Sequence, residues 1–201
     1  MPSFNVDQMP YVTSSVERFL VNPDGNADGM ILGNGVEVYF APHLSTAVLT
    51  AIQVGDRITV YGVLPMAEPM IAAVIIEAAN GTRIEDLGLP TRKSPRTLAE
   101  HRIKPPKRSR LQVEALVRRR LHGPNGETRG VLLDDGTTVV LPLHQSEDLS
   151  ALLSPASRLT VRGAGLVTEM GKAIRADEIG KSLRNMRVLS IDEGVRPKQP
   201  A

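Results

Sequence analysis

Eight Lys and Arg residues fall within positions 89–112, against a single acid, Glu100. They are Arg92, Lys93, Arg96, Arg102, Lys104, Lys107, Arg108 and Arg110, and the run Arg118, Arg119, Arg120 follows closely. Clustered guanidinium and ammonium groups neutralise phosphates and release condensed counterions, which is the chemistry of sequence-nonspecific nucleic-acid binding. The rest of the chain gives the cluster its weight. Residues 1–88 hold three Lys/Arg and ten Asp/Glu, a net −7; residues 89–112 carry +7 and residues 113–201 carry +2. The same charges fit a solvated linker that folds back onto the acidic first part, and the pattern leaves the two readings even. Arg118 to Arg120 equally suit an exposed strand end that discourages edge pairing.

A stacking groove for single strands needs positive charge and aromatic side chains together. Tyr39 and Tyr61 fall at outward-facing positions and are the candidates for stacking, but their half of the chain is acidic, and residues 113–201 contain no Phe, Tyr or Trp. Half-burial over a sheet explains both tyrosines as well as stacking does. His43 and His144, equivalent in the two halves, each sit where a strand gives way to a helix and read as helix-entry packing. His101 and His122, in or near the basic stretch, read as solvated. Cysteine is absent, which removes thiolate metal sites, disulfides and Cys nucleophiles. The glycines punctuate turns and form no phosphate-cradling Gly-x-x-x-x-Gly-Lys-Ser/Thr loop. The acid pairs Glu85-Asp86 and Asp134-Asp135 read as turn chemistry. No catalytic residue, metal ligand set or cofactor site is therefore predicted, and the chain is expected to be a non-enzyme.

These residues are positioned by a repeated unit. The stretch Gly29 to His43 recurs without a gap from Gly130 to His144, an offset of 101 residues. Leu32, Gly35 and Val38 fall on Leu133, Gly136 and Val139, while Arg57, Thr59, Val60 and Gly62 fall on Arg158, Thr160, Val161 and Gly163. A period this long is the size of a domain. In the first copy, strands are predicted over Tyr11 to Val21, Gly29 to Leu32, Val36 to Ala41, Asp56 to Gly62 and Met70 to Ala78. A short helix is predicted from the spacing of Leu44, Val48, Leu49 and Ile52. Gly33-Asn34-Gly35 and Asp134-Asp135-Gly136 are hairpin signals. In the second copy the strands are Val113 to Leu121, Gly130 to Leu133, Thr137 to Leu141, Arg158 to Gly163 and a stretch near Ala173 to Ile179. A helix is expected near Ser146 to Leu153.

Five short strands with a helix between the third and fourth is the order of an OB-fold barrel. The hairpin glycines, the Pro42-His43 helix entry and the strand Gly55 to Gly62 resemble those of uncharacterised bacterial proteins with two OB-like repeats. The resemblance implies a fold and no activity. The chain is thus expected to be all-β, with two tandem five-stranded OB-like barrels, each with one short helix between strands 3 and 4. The expected divisions are an acidic barrel at 10–88, a basic Pro-rich linker at 89–110, a second barrel at 111–190 and a mobile tail at 191–201.

No stretch is long and apolar enough to span a bilayer, and residues 1–7 lack a secretory pattern, so a cytoplasmic protein with no membrane partner is expected. DNA or RNA, bound through phosphates, is the first expected partner. A protein partner, with the barrels as an interaction or scaffold module, is the alternative. No feature fixes an oligomeric state.

Overall fold

A computed structural model describes residues 8–65, 69–88, 108–142 and 149–189. Arg92, Lys93, Arg96, Arg102, Lys104, Lys107, His101, His144 and the tail 191–201 lie outside the described residues.

Each copy closes into a five-stranded barrel. In the first, β1 (Tyr11–Val21), β2 (Ala27–Leu32), β3 (Glu37–Tyr39), β4 (Arg57–Val63) and β5 (Met70–Glu77) lie in the order β3-β2-β1-β4-β5. Closure comes from the parallel pairing of β3 with β5, Val38 opposite Ile71. A three-residue strand, β6 (Arg83–Glu85), extends the sheet beside β5. The second barrel repeats this with β7 (Ser109–His122), β8 (Thr128–Leu133), β9 (Thr138–Val140), β10 (Arg158–Thr168) and β11 (Gly171–Gly180), closed by β9 against β11 and extended by β12 (Met186–Val188). Strand alternation explains the filling: in β4, Ile58 and Val60 are buried while Arg57 and Val63 are exposed.

The hairpin glycines do the work their positions imply. Gly35 and Gly136 have φ of 84° and 85°, a region that side chains resist. Each donates its N–H to the residue before the loop, Leu32 O at 2.8 Å and Leu133 O at 3.0 Å, so each glycine closes a three-residue hairpin loop.

Helix α1 (Ser45–Ala51) follows a single 3₁₀ turn at Pro42–Leu44 and plugs the first barrel with Leu44, Val48 and Ile52. Ser45 Oγ accepts the buried N–H of Ala27, which ties the plug to β2. The second barrel differs. The described part of the expected helix, 149–153, is a run of turns. Ser150 O, which a helix would give to the amide of residue 154, is held by Arg120 Nη2 and Ser154 Oγ, and Pro155 follows. Leu149 and Leu153, at the repeat positions of Val48 and Ile52, still fill the barrel end. Ser109 and Arg110, expected in the linker, belong to β7.

Each barrel has its own apolar core. Two further buried clusters join the barrels: Leu20, Ile31, Leu121 and Leu132 form one, and Val21, Leu166 and Ala173 the other. No helix of the described residues is long and apolar enough to cross a membrane.

Candidate functional site

Arg118 and Arg119 reach the first barrel at the junction, and the junction is built from repeat-equivalent positions. Leu20 and Leu121 are equivalent, as are Ile31 and Leu132; all four are almost fully buried together. Glu17 and Arg118 sit in matching β-bulges of β1 and β7. They bond to each other, Arg118 Nη2 donating to Glu17 Oε1 at 2.5 Å. The hydrogen bonds beside these positions are reciprocal. Arg18 Nη2 donates to Gly136 O at 3.1 Å, and Arg119 Nη1, its equivalent, donates to Gly35 O at 2.8 Å. A residue that meets its own equivalent, flanked by exchanged hydrogen bonds, is the signature of a local two-fold relation.

Two further junction interactions are polar and largely buried. Arg129 forks onto Asp28, and its guanidinium carbon lies 5.4 Å from the Tyr39 ring centroid. Burial raises the Tyr39 phenol above its usual range, against the opposing pull of Arg129. Glu37, fully buried, accepts both the backbone N–H and the Nδ1 side of His122, each at 2.9 Å. His122 is therefore not solvated as its place beside the basic stretch predicts; a bulge between Leu121 and His122 brings it onto β3 of the other barrel. Burial first, then the nearby Arg118, pushes the Arg18 guanidinium below its usual range.

The other candidates are spread out. Arg108 bonds Asp24 and, through Nε, Pro23 O at 3.1 Å, while Arg110 bonds Glu178 at 2.7 Å. Arg120 turns to Leu153 O and Ser150 O of its own barrel. Tyr61 pairs with Tyr11, ring centroids 5.7 Å apart, and reaches Glu77 at 3.4 Å; partial burial and Glu77 raise its phenol. Tyr39 and Tyr61 thus lie at different places, one against the second barrel and one on the β1–β4 surface. His43 Nε2 lies 3.3 Å from Asp86 Oδ1. Among the described residues no group of three or more His, Cys, Asp or Glu is placed to hold a metal ion.

Sequence reasoning missed Glu17, Arg18, Asp28, Glu37 and Arg129 as junction residues. A signal was present: Glu17 against Arg118 and Asp28 against Arg129 are opposite charges at equal repeat positions.

No protein-family model matches the chain, and no curated protein matches it either. Among solved structures, a deletion variant of the single-stranded DNA binding protein from Thermus aquaticus is similar at 12% identity and a TM-score of 0.27, covering 94% of this chain and 96% of that one. That degree of likeness is too low to transfer a function.

Proposed function

We propose that this is a cytoplasmic, non-catalytic protein that binds nucleic acid without sequence preference, through phosphate contacts from the basic stretch between its barrels. One observation carries the reading. Arg92, Lys93, Arg96, Arg102, Lys104 and Lys107 stand against Glu100 alone, beside residues 1–88 of net charge −7. Arg108 and Arg110 continue the stretch and keep 42% and 62% of their side-chain surface exposed, so their surface ion pairs are weak competitors for a phosphate. In this reading the barrels hold the two ends of the basic stretch, and aromatic stacking is secondary.

A second reading, a protein-interaction or scaffold module, is favoured by one feature of the junction. OB domains that bind strands use the outer surface around strands 2 and 3. Here Ile31, Asp28 and Glu37 on β2 and β3 are covered by the second barrel.

Anisotropy titration of single-stranded DNA, duplex DNA and RNA probes at two salt concentrations separates the readings. The first expects binding to all three probes and a steep loss with salt. No binding to any probe at low salt decides for the second.

A further inference from the structure

The two copies have filled equivalent places at the junction differently. Val21 is covered by Leu166 and Ala173, with Met170 packed against them. The equivalent of Val21 is His122, which turns to Glu37, and beside it a cleft of about 500 Å³ stays open between the barrels. Its lining includes Arg118, Arg119, Arg120 and His122, with Glu17 and Pro69. The residues equivalent to the three arginines are Glu17, Arg18 and Phe19, and Phe19 belongs to the core of the first barrel. Between these equivalent positions, concentrated positive charge belongs to the second copy and not to the shared fold.

The arginines have donors to spare. A guanidinium carries five N–H groups. Arg118 gives one to Glu17, Arg119 one to Gly35 O, and Arg120 two to backbone carbonyls. Arg119 Nε is buried and has no acceptor among the described residues. Among the described lining residues, Glu17 is the carboxylate that faces the three guanidinium groups, and the carbonyl partners carry no net charge. Holding like charges at a half-buried junction is unfavourable unless an anion completes the set. The cleft lies within the roughly 300–1,000 Å³ range of small-ligand sites. Planar, multi-donor guanidinium groups match the oxygens of phosphate better than single-point cations do.

We propose that this cleft is a phosphate-binding site, in which Arg118 and Arg120 take the oxygens of a phosphate group and Arg119 supplies charge from behind. The phosphate belongs to the backbone of a nucleic-acid strand; this assignment of the source rests on the proposed nucleic-acid binding, whereas the preference for a phosphate oxyanion does not. Glu17 is a built-in competitor for Arg118.

The test uses the full chain and two probes. Sodium pyrophosphate is titrated in thermal unfolding against sodium chloride of matched ionic strength, and a fluorescent thymidine 15-mer is titrated by anisotropy. Pyrophosphate should raise the melting temperature beyond the chloride control. That gain should vanish in the double variant Arg118→Gln, Arg120→Gln. Glu17→Gln, which removes a carboxylate and leaves every arginine, should tighten pyrophosphate binding by about 3- to 10-fold, and it keeps the test decisive where the arginine variant folds poorly. The 15-mer should bind the wild type and bind the arginine variant more weakly. If the 15-mer fails to bind while pyrophosphate behaves as described, the nucleic-acid reading falls and the cleft stands as a site for a small phosphate compound. If pyrophosphate does no more than chloride, or acts alike on wild type and both variants, the cleft is not a phosphate site, whatever the 15-mer does.

Discussion

Asp28 and Arg129 occupy the same position in the two copies and are bonded to each other, Nη1 to Oδ2 at 2.7 Å and Nη2 to Oδ1 at 3.2 Å. Glu17 and Arg118 repeat the arrangement. Two first copies docked in this way would set acid against acid, and two second copies arginine against arginine. The charges therefore specify the pairing of unlike copies, while the leucine and isoleucine cluster between them supplies the buried apolar surface.

Reversing Asp28 or Arg129 should be costly singly and much less so together. Their side chains are only 9% and 14% exposed, so Asp28→Arg or Arg129→Asp alone should destabilise by about 2–5 kcal/mol. The double reversal should recover at least half of the summed loss in a urea-unfolding cycle. Single variants within about 0.5 kcal/mol of wild type would place the pair among ordinary surface ion pairs.

The apolar part of the junction should hold the barrels together in trans. Residues 1–88 and 108–201, made separately and mixed, should sediment as a one-to-one complex. Leu121→Asp, which sets a charge among Leu20, Ile31 and Leu132, should abolish it. Halves that stay apart although each is folded would show that the tether alone keeps the barrels adjacent.

Glycine substitutions should separate backbone strain from docking. A Cβ added at Gly35 meets nothing within 4 Å, so Gly35→Ala should cost only its positive φ, about 1 kcal/mol. At Gly136 the same Cβ lies 3.1 Å from Arg18 Nη2, the group that donates to Gly136 O. Gly136→Ala should cost a further ~0.5–1.5 kcal/mol by urea unfolding. Equal losses would mean that the Arg18 hydrogen bond adds nothing.

Alkali should weaken the junction through Tyr39. Its phenol is raised chiefly by burial, so its contribution is complete below the ordinary value of 10.0 and is lost as pH climbs through the higher folded value. Between about pH 9 and pH 11 the wild type should lose more melting temperature than Tyr39→Phe. Tyr61, also raised, leaves a residual loss in the variant. Parallel curves would remove Tyr39 as a source.

The repeat made the barrels legible. Ile58 and Val60 point inward as their alternation requires, and Gly35 and Gly136 close hairpins as their spacing requires. Strand β6 was missed although Asn80-Gly81 is a hairpin signal, because Arg83-Ile84-Glu85 is too short to show a period. The helix expected in the second copy is a run of turns over 149–153: Ser150 O is shared by the local Ser154 Oγ and by Arg120, thirty residues away, a partner no local pattern shows. The junction was illegible for a related reason. Alternation places Leu20, Ile31, Leu121 and Leu132 on outer faces, and it cannot say that one outer face will cover another.

The basic stretch bears most directly on what the protein does. Replacing Arg92, Lys93, Arg96, Arg102, Lys104 and Lys107 together by Ser leaves the residues of both barrels and of their junction unchanged. The measurement is the slope of log affinity for single-stranded DNA against log salt, for wild type and for this variant. The account predicts a steep wild-type slope that flattens by about 0.7 for each phosphate no longer neutralised, with affinity falling alike on every sequence tested. A variant that binds with the wild-type slope and affinity would contradict it.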